Sequence, residues 1–206
     1  MSALTWDLTS RFSHGPPEAD AARDAELAAA ARRGDPSALS EIVRRHQKRV
    51  YNLAYRMLRN PEDAEDITQD AFLSALAHLS QIRRDASLGA WICRIAANLC
   101  LARIRSSGRA REVPLEASLS SLADAETGDE WSRRHLVGET REAIARLPPK
   151  YRLAVVACYL EGRSYQEAAR IAGVPVRTLK TRLYRARAML RRLLQPVLEA
   201  EETARR

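Results

Sequence analysis

Three cysteines, four histidines and eight glycines are all that this chain of 206 residues holds of those types, and each scarcity excludes something. Cys93 and Cys100 stand seven positions apart on one helical stretch. At 1.5 Å per residue that is about 10 Å, beyond the reach of a disulfide. Neither they nor Cys158 belongs to a CxxC pair or a Cys/His cluster, so all three read as small buried apolar residues. His14, His46, His78 and His135 are scattered. No metal site and no cofactor is expected. Sparse glycine, with Ala, Leu, Arg and Glu dominant, favours helix over sheet, and no run shows strand alternation. No apolar stretch approaches the roughly 20 residues of a membrane span. The first residues, with Asp7, Arg11, Pro16 and Pro17, lack the apolar core of a signal peptide. A cytoplasmic protein without membrane insertion is expected.

Acid is scarce only locally. The net charge is +8 and the pI about 9.9, a bias that suits a polyanionic partner. From Arg170 through Arg177, Lys180, Arg182, Arg185, Arg187, Arg191 and Arg192 no carboxylate intervenes until Glu199. Charge confined to one stretch favours a binding surface over general solubility.

What the chain does contain is helical punctuation. Residues 1–20 carry Ser, Thr, Gly and Pro without periodicity and read as a disordered tail. A first helix over about Asp20–Arg33 ends at Gly34, and Asp35-Pro36 opens the next. Its stripe of Leu39, Ile42, Val43, His46, Val50, Leu53, Ala54 and Met57 has helical spacing. Asn60-Pro61 repeats the start signal for a third helix, to about Leu79. A fourth, about Leu88–Arg105, presents Trp91, Ile92, Ile95, Ala96 and Leu99 as its apolar set. The stretch Ser106–Asp129 is poor in large apolar residues and reads as a linker. Further helices follow over Glu130–Leu147 and Lys150–Leu160, then a short one capped by Ser164 and Glu167. Gly173 and Val174-Pro175 turn the chain into a last helix reaching about Leu194. The expected fold is all-α: two small helical domains, 21–106 and 130–195, joined by a flexible linker at 107–129, with a C-terminal tail at 196–206.

Three constellations carry function. Ser164–Leu194 has the form of a helix-turn-helix. On its second helix Val176, Leu179, Leu183, Ala186 and Leu190 share the inward face. Arg177, Lys180, Thr181 and Arg185 lie towards the N-terminal half, the part that enters the major groove in this motif. Arg187, Arg191 and Arg192 are placed to meet phosphates. The third helix opens on Glu62, Asp63, Glu65, Asp66 and Asp70. Spacing alone leaves three readings open for that patch: a solvated face suited to a helix N-terminus, a dock for a basic protein surface, or Mg²⁺ ligands of a nuclease. The third constellation is basic: Arg83, Arg84, Arg94, Arg103, Arg105, Arg109 and Arg111 face only Asp85 before Glu112. With Trp91 and Asn98 interleaved it suits single-stranded DNA, although Trp91 also fits a core or rim position beside Ile95.

Read together, these segments resemble sigma factors of the extracytoplasmic-function (ECF) group of the sigma-70 family. Asn60–Leu76 (NPEDAEDITQDAFLSAL) is similar to the family's core-polymerase-binding helix, and Trp91–Arg105 (WICRIAANLCLARIR) to its promoter-melting helix. Ala145–Leu194 resembles its region-four helix-turn-helix. The resemblance implies an initiation factor with no catalysis of its own. Asp63, Glu65, Asp66, Gln69 and Asp70 would bind the β′ clamp helices of core RNA polymerase, whose β subunit is a further partner. Arg83, Arg84, Trp91, Arg94 and Asn98 would act on single-stranded −10 DNA. Lys180, Thr181, Tyr184 and Arg185, with Arg177 and Thr178 beside them, would read duplex −35 DNA. An anti-sigma factor is an expected partner. Three departures stand out: Arg177 where many members have Gly, Ala168 where Ile is commoner, and Ala102 where many have Asp. The alternative is a helix-turn-helix regulator whose first domain dimerises or senses.

Overall fold

Capping residues set where the helices begin. The computed structural model describes residues 18–81, 87–107 and 128–204. It shows α1 (Glu18–Arg32), α2 (Pro36–Leu58), α3 (Pro61–Ala77) and α4 (Leu88–Ser106), then α5 (Gly128–Arg146), α6 (Pro149–Val155), α7 (Tyr165–Ala172) and α8 (Val176–Ala204). A 3₁₀ turn at Leu79–Gln81 follows α3, and a π-helical segment, Val156–Leu160, continues α6. The described residues contain no strand. The Asp35 carboxylate accepts from the backbone N–H groups of Ser37 (2.9 Å) and Ala38 (3.4 Å). Asn60 caps Asp63 at 3.0 Å and Ser87 caps Ala90 at 3.3 Å. Each cap satisfies a donor that a helix start leaves orphaned. Gly34 (φ +88°) and Gly173 (φ +63°) end α1 and α7 in the left-handed conformation that glycine adopts freely.

The first domain packs α2, α3 and α4 against one another, with α1 against α2 and α4. Its core includes Ile42, Val50, Leu53, Met57, Ile67 and Ile92. Asp24 of α1 reaches Arg45 and His46 of α2, each at 3.3 Å, which holds the buried imidazole against α1. In the second domain α8 lies on α5, α6 and α7. Leu147, Leu153, Val156, Leu179 and Leu183 form that core. All three cysteines are free and buried. Burial pushes the Cys93 thiol to about 11 and those of Cys100 and Cys158 to about 12.

The structure revises four expectations. The last helix does not stop near Leu194 but runs through Pro196 to Ala204. Pro196 removes one N–H donor and crowds the carbonyl four residues back without ending the helix, and Gln195 bonds Glu199 across the site at 2.9 Å. The helix expected over Lys150–Leu160 changes to π geometry at Val156, where Glu161 N–H donates to Val156 O at 2.9 Å. The apolar set of α4 is also different. Trp91, Ile95 and Leu99 are only half-buried, whereas Cys93, Ala97 and Cys100 are buried along with Ile92 and Ala96. The reason is that α4 is covered on more than one side, by α1, α2 and α3 and by α6 and α7. Fourth, the two domains are not merely tethered: α7 packs on α4, and α6 and the π segment touch α2. The expected tail over 1–17 and most of the linker, 108–127, lie outside the described residues.

Replacing Ser164 by Ala should lower stability by about 1 kcal/mol, the ordinary effect of a lost N-cap, and Leu179→Ala by about 2–5 kcal/mol through the cavity it leaves. Urea denaturation of the full chain reads both. An unchanged midpoint for either variant would contradict this account of the second domain.

Candidate nucleic-acid interface

The turn between α7 and α8 is built from both ends. Ser164 Oγ accepts from Glu167 N–H (3.2 Å) while Glu167 Oε2 accepts from Ser164 N–H (3.3 Å), a reciprocal cap that starts α7. At its other end Gly173 N–H donates to Arg170 O and Val174 N–H to Ala169 O. Leu179, Leu183 and Ala186 are then buried against the domain, and Val176 and Leu190 half-buried. The opposite face is turned outward as a consequence. Arg177, Thr178, Lys180, Thr181, Tyr184 and Arg185 are all exposed, and Tyr184 is 70% exposed. An aromatic ring so open to water on a basic face suits contact with a base or sugar. Several of these side chains are pre-positioned. Lys180 Nζ sits 5.6 Å from the Tyr165 ring centroid, and Thr181 Oγ1 donates to Arg177 O at 3.1 Å. Arg185 hydrogen-bonds the Tyr151 hydroxyl, which holds that phenol below its usual value.

On α4, Trp91 is half-buried while Arg94 and Asn98 are exposed. Spacings of three and four place these residues along one helix face. Arg83 and Arg84 lie outside the described residues, as do Arg109 and Arg111. Arg103 does not extend this basic face. Its guanidinium pairs with Asp63 (3.1 Å) and Asp66 (3.7 Å) of α3, because α3 and α4 pack side by side.

The acidic helix therefore divides. Asp63 and Asp66 are drawn to Arg103, although Asp66 stays exposed like Glu65, Gln69 and Asp70. Glu65 and Gln69 also line an open groove of about 640 Å³ between α2 and α3 with Tyr51, Phe72, Leu73 and Leu76. Leu73 is 59% exposed there. Sequence reasoning placed Arg103 in the DNA-facing basic run rather than against α3, and it missed Leu73. The signal for Leu73 was present, since Glu65, Gln69 and Leu73 recur every four residues and form one row on the helix. Among the described residues no group of three or more His, Cys, Asp or Glu side chains is arranged to hold a metal ion, so no converging ligand set supports the Mg²⁺ reading. No described helix is long and apolar enough to cross a membrane.

Two family models match the chain: sigma-70 region 2 over residues 42–110 and sigma-70 region 4 over residues 138–190. The ECF RNA polymerase sigma factor SigM of Mycobacterium tuberculosis is 40% identical over 171 residues, covering 83% of this chain and 84% of that protein. SigW of Bacillus subtilis is 33% identical over 175 residues, 80% of this chain and 92% of that one. Among solved structures, CnrH in complex with the cytosolic domain of CnrY superposes with a TM-score of 0.63 at 27% identity, covering 84% of this chain and 98% of CnrH. RpoE of Bartonella quintana, solved with the anti-sigma factor NepR, gives 0.57 at 25% identity over 76% of this chain and 96% of RpoE.

The contact between Arg185 and Tyr151 has a spectroscopic consequence. Arg185→Ala should raise the Tyr151 pKa towards the ordinary value near 10, because the main cation favouring the phenolate is gone and only Lys150 remains beside it. Ultraviolet titration, with Tyr151→Phe identifying the step, measures it; an unmoved step would mean that the pair does not form in solution.

Proposed function

The chain belongs to the ECF group of the sigma-70 family, and on that premise we propose that it is a cytoplasmic initiation factor without catalysis of its own. It binds core RNA polymerase, directs it to one class of promoter and assists strand opening at the −10 element. The observation that carries this reading is the outward face of α8: six exposed side chains from Arg177 to Arg185 on a capped, rigid helix-turn-helix, with no carboxylate along the helix before Glu199.

In this reading the domains divide as 21–106 and 130–195. Lys180, Thr181, Tyr184 and Arg185, with Arg177 and Thr178, read duplex −35 DNA, while Arg187, Arg191 and Arg192 hold its phosphates. Trp91, Arg94 and Asn98, with Arg83 and Arg84, engage the single-stranded −10 element. Glu65, Gln69 and Asp70, beside Asp63 and Asp66, grip the β′ clamp helices, and the apolar groove at Leu73 gives the polar contacts a desolvated centre. Contact with the β subunit belongs to the same reading. The capture of RpoE by NepR supports an anti-sigma factor as a further partner.

Reconstituted transcription tests the whole. With core polymerase and genomic promoters the chain should yield promoter-specific transcripts. Arg185→Ala should lose about 1–3 kcal/mol of discrimination at the −35 element, the range of one good base contact, and Asp70→Ala with Leu73→Ala should weaken polymerase binding without changing affinity for −35 duplex. Absence of any specific start site would overturn the proposal.

A further inference from the structure

Two cations of α8 do not stand on its outermost line. At about 100° per residue, Lys180 lies about 100° to one side of the buried Leu179 and Arg185 about 120° to the other. Thr181 and Tyr184 point further from that buried seam. A long side chain on a helix flank can lie back along its own domain or reach outward with its charged end. Something besides the helix must therefore set the direction of these two.

Each flank has a tyrosine. Tyr165, the first residue of α7, presents its ring to the Lys180 ammonium, 5.6 Å from the centroid. Tyr151, in the first turn of α6, accepts a hydrogen bond from the Arg185 guanidinium on its hydroxyl, and Lys150 lies 5.1 Å from the centre of the same ring. Both tyrosines are themselves fixed. The reciprocal cap of Ser164 and Glu167 starts the turn that carries Tyr165, and Tyr151 N–H donates to Pro148 O at 2.8 Å. Tyr151 is buried and Tyr165 half-buried, unlike the open Tyr184. These contacts leave both cations able to recognise a base. A guanidinium has five N–H donors and an ammonium three, and the Tyr151 hydroxyl occupies only part of the first set. Arginine and lysine read the O6 and N7 acceptors of guanine in the major groove. A side chain held in place beforehand gives up less freedom on binding.

We infer that Tyr151 and Tyr165 are positioning residues for base recognition: they hold Arg185 and Lys180 on the two flanks of α8 as readers of guanine, and act on sequence preference through those side chains. The inference rests on the sigma-factor reading for the duplex that is read, while the two contacts belong to the free chain. The roles need different parts of a tyrosine. Tyr151 acts through its hydroxyl, so Tyr151→Phe removes the role and keeps the packed ring. Tyr165 acts through its ring face, so Tyr165→Phe keeps the role and Tyr165→Leu removes it. Tyrosines that only packed would tolerate phenylalanine at both positions.

Nuclear magnetic resonance of the free full chain reads the contacts. The Arg185 Nε–Hε group should be ordered on the ps–ns timescale and become mobile in Tyr151→Phe. The Lys180 methylene protons should carry a ring-current shift that survives Tyr165→Phe and disappears in Tyr165→Leu. Holoenzyme formed with core polymerase then selects from a randomised duplex library. Tyr151→Phe and Tyr165→Leu should each lower the preference for guanine about fivefold, at a different position for each, the low end of what one bidentate contact discriminates. Tyr165→Phe should select as the unaltered chain does. The slope of affinity against salt should not change, because no phosphate contact is removed. The inference is overturned if Arg185 is equally mobile with and without the Tyr151 hydroxyl, if neither variant changes the guanine preference, or if Tyr165→Phe loses as much as Tyr165→Leu. If the side-chain signals respond as expected but the unaltered holoenzyme selects no sequence, the positioning stands and the sigma-factor reading fails.

Discussion

An all-helical chain lives under one constraint above others: every helix end carries backbone groups that its own ladder cannot satisfy. Most of the local structure answers to it. Asp35, Asn60, Ser87 and Ser164 serve as N-terminal caps. Gly34 and Gly173 close C-termini through left-handed turns. The turn at Gly173 fixes the roll of α8 about its axis, because burying Leu179 and Leu183 leaves only one face for Lys180, Tyr184 and Arg185. Recognition chemistry thus begins with backbone bookkeeping several residues upstream. At the ends of α2 and the π segment, where Arg59 and Glu161 N–H groups already close the last turn, arginines from the other domain add a second partner.

Charge is the second organiser, and it works by segregation. A chain of net charge +8 keeps an acidic helix only if its carboxylates are placed so that the basic helices do not neutralise them all. Arg103 takes Asp63 and Asp66, and Glu65, Gln69 and Asp70 remain exposed. The same pair of contacts sets α3 beside α4, which brings the face proposed for polymerase next to the face proposed for melted DNA. Surface ion pairs of this kind are individually weak. Their value here is register, with the burial of Ile67, Phe72 and Ile92 supplying the adhesion.

Much of this was legible in the sequence because it is local. Caps, proline starts, the turn glycine and the stripes of α2, α3 and α8 are encoded within a few residues of where they act. What escaped was nonlocal. Cys93 and Cys100 read as buried in the sequence, but Ala97 falls outside the expected apolar set of α4, because nothing local says that this helix is covered on more than one side. Arg103 looked like one more cation of a DNA-facing run, since nothing nearby in sequence says that α3 lies alongside it. Arg56, Arg59 and Arg152 carried no signal at all: an arginine near a helix end is unremarkable until a second helix end is placed before it.

A factor that must act at two points on DNA gains from weak points and a controlled distance between them. Two domains held together at the right spacing raise each other's effective concentration, and the combination is lost if the geometry forbids simultaneous contact. On the proposed reading, then, specificity is not stored in α8 alone. It arises when both domains are held on the DNA together.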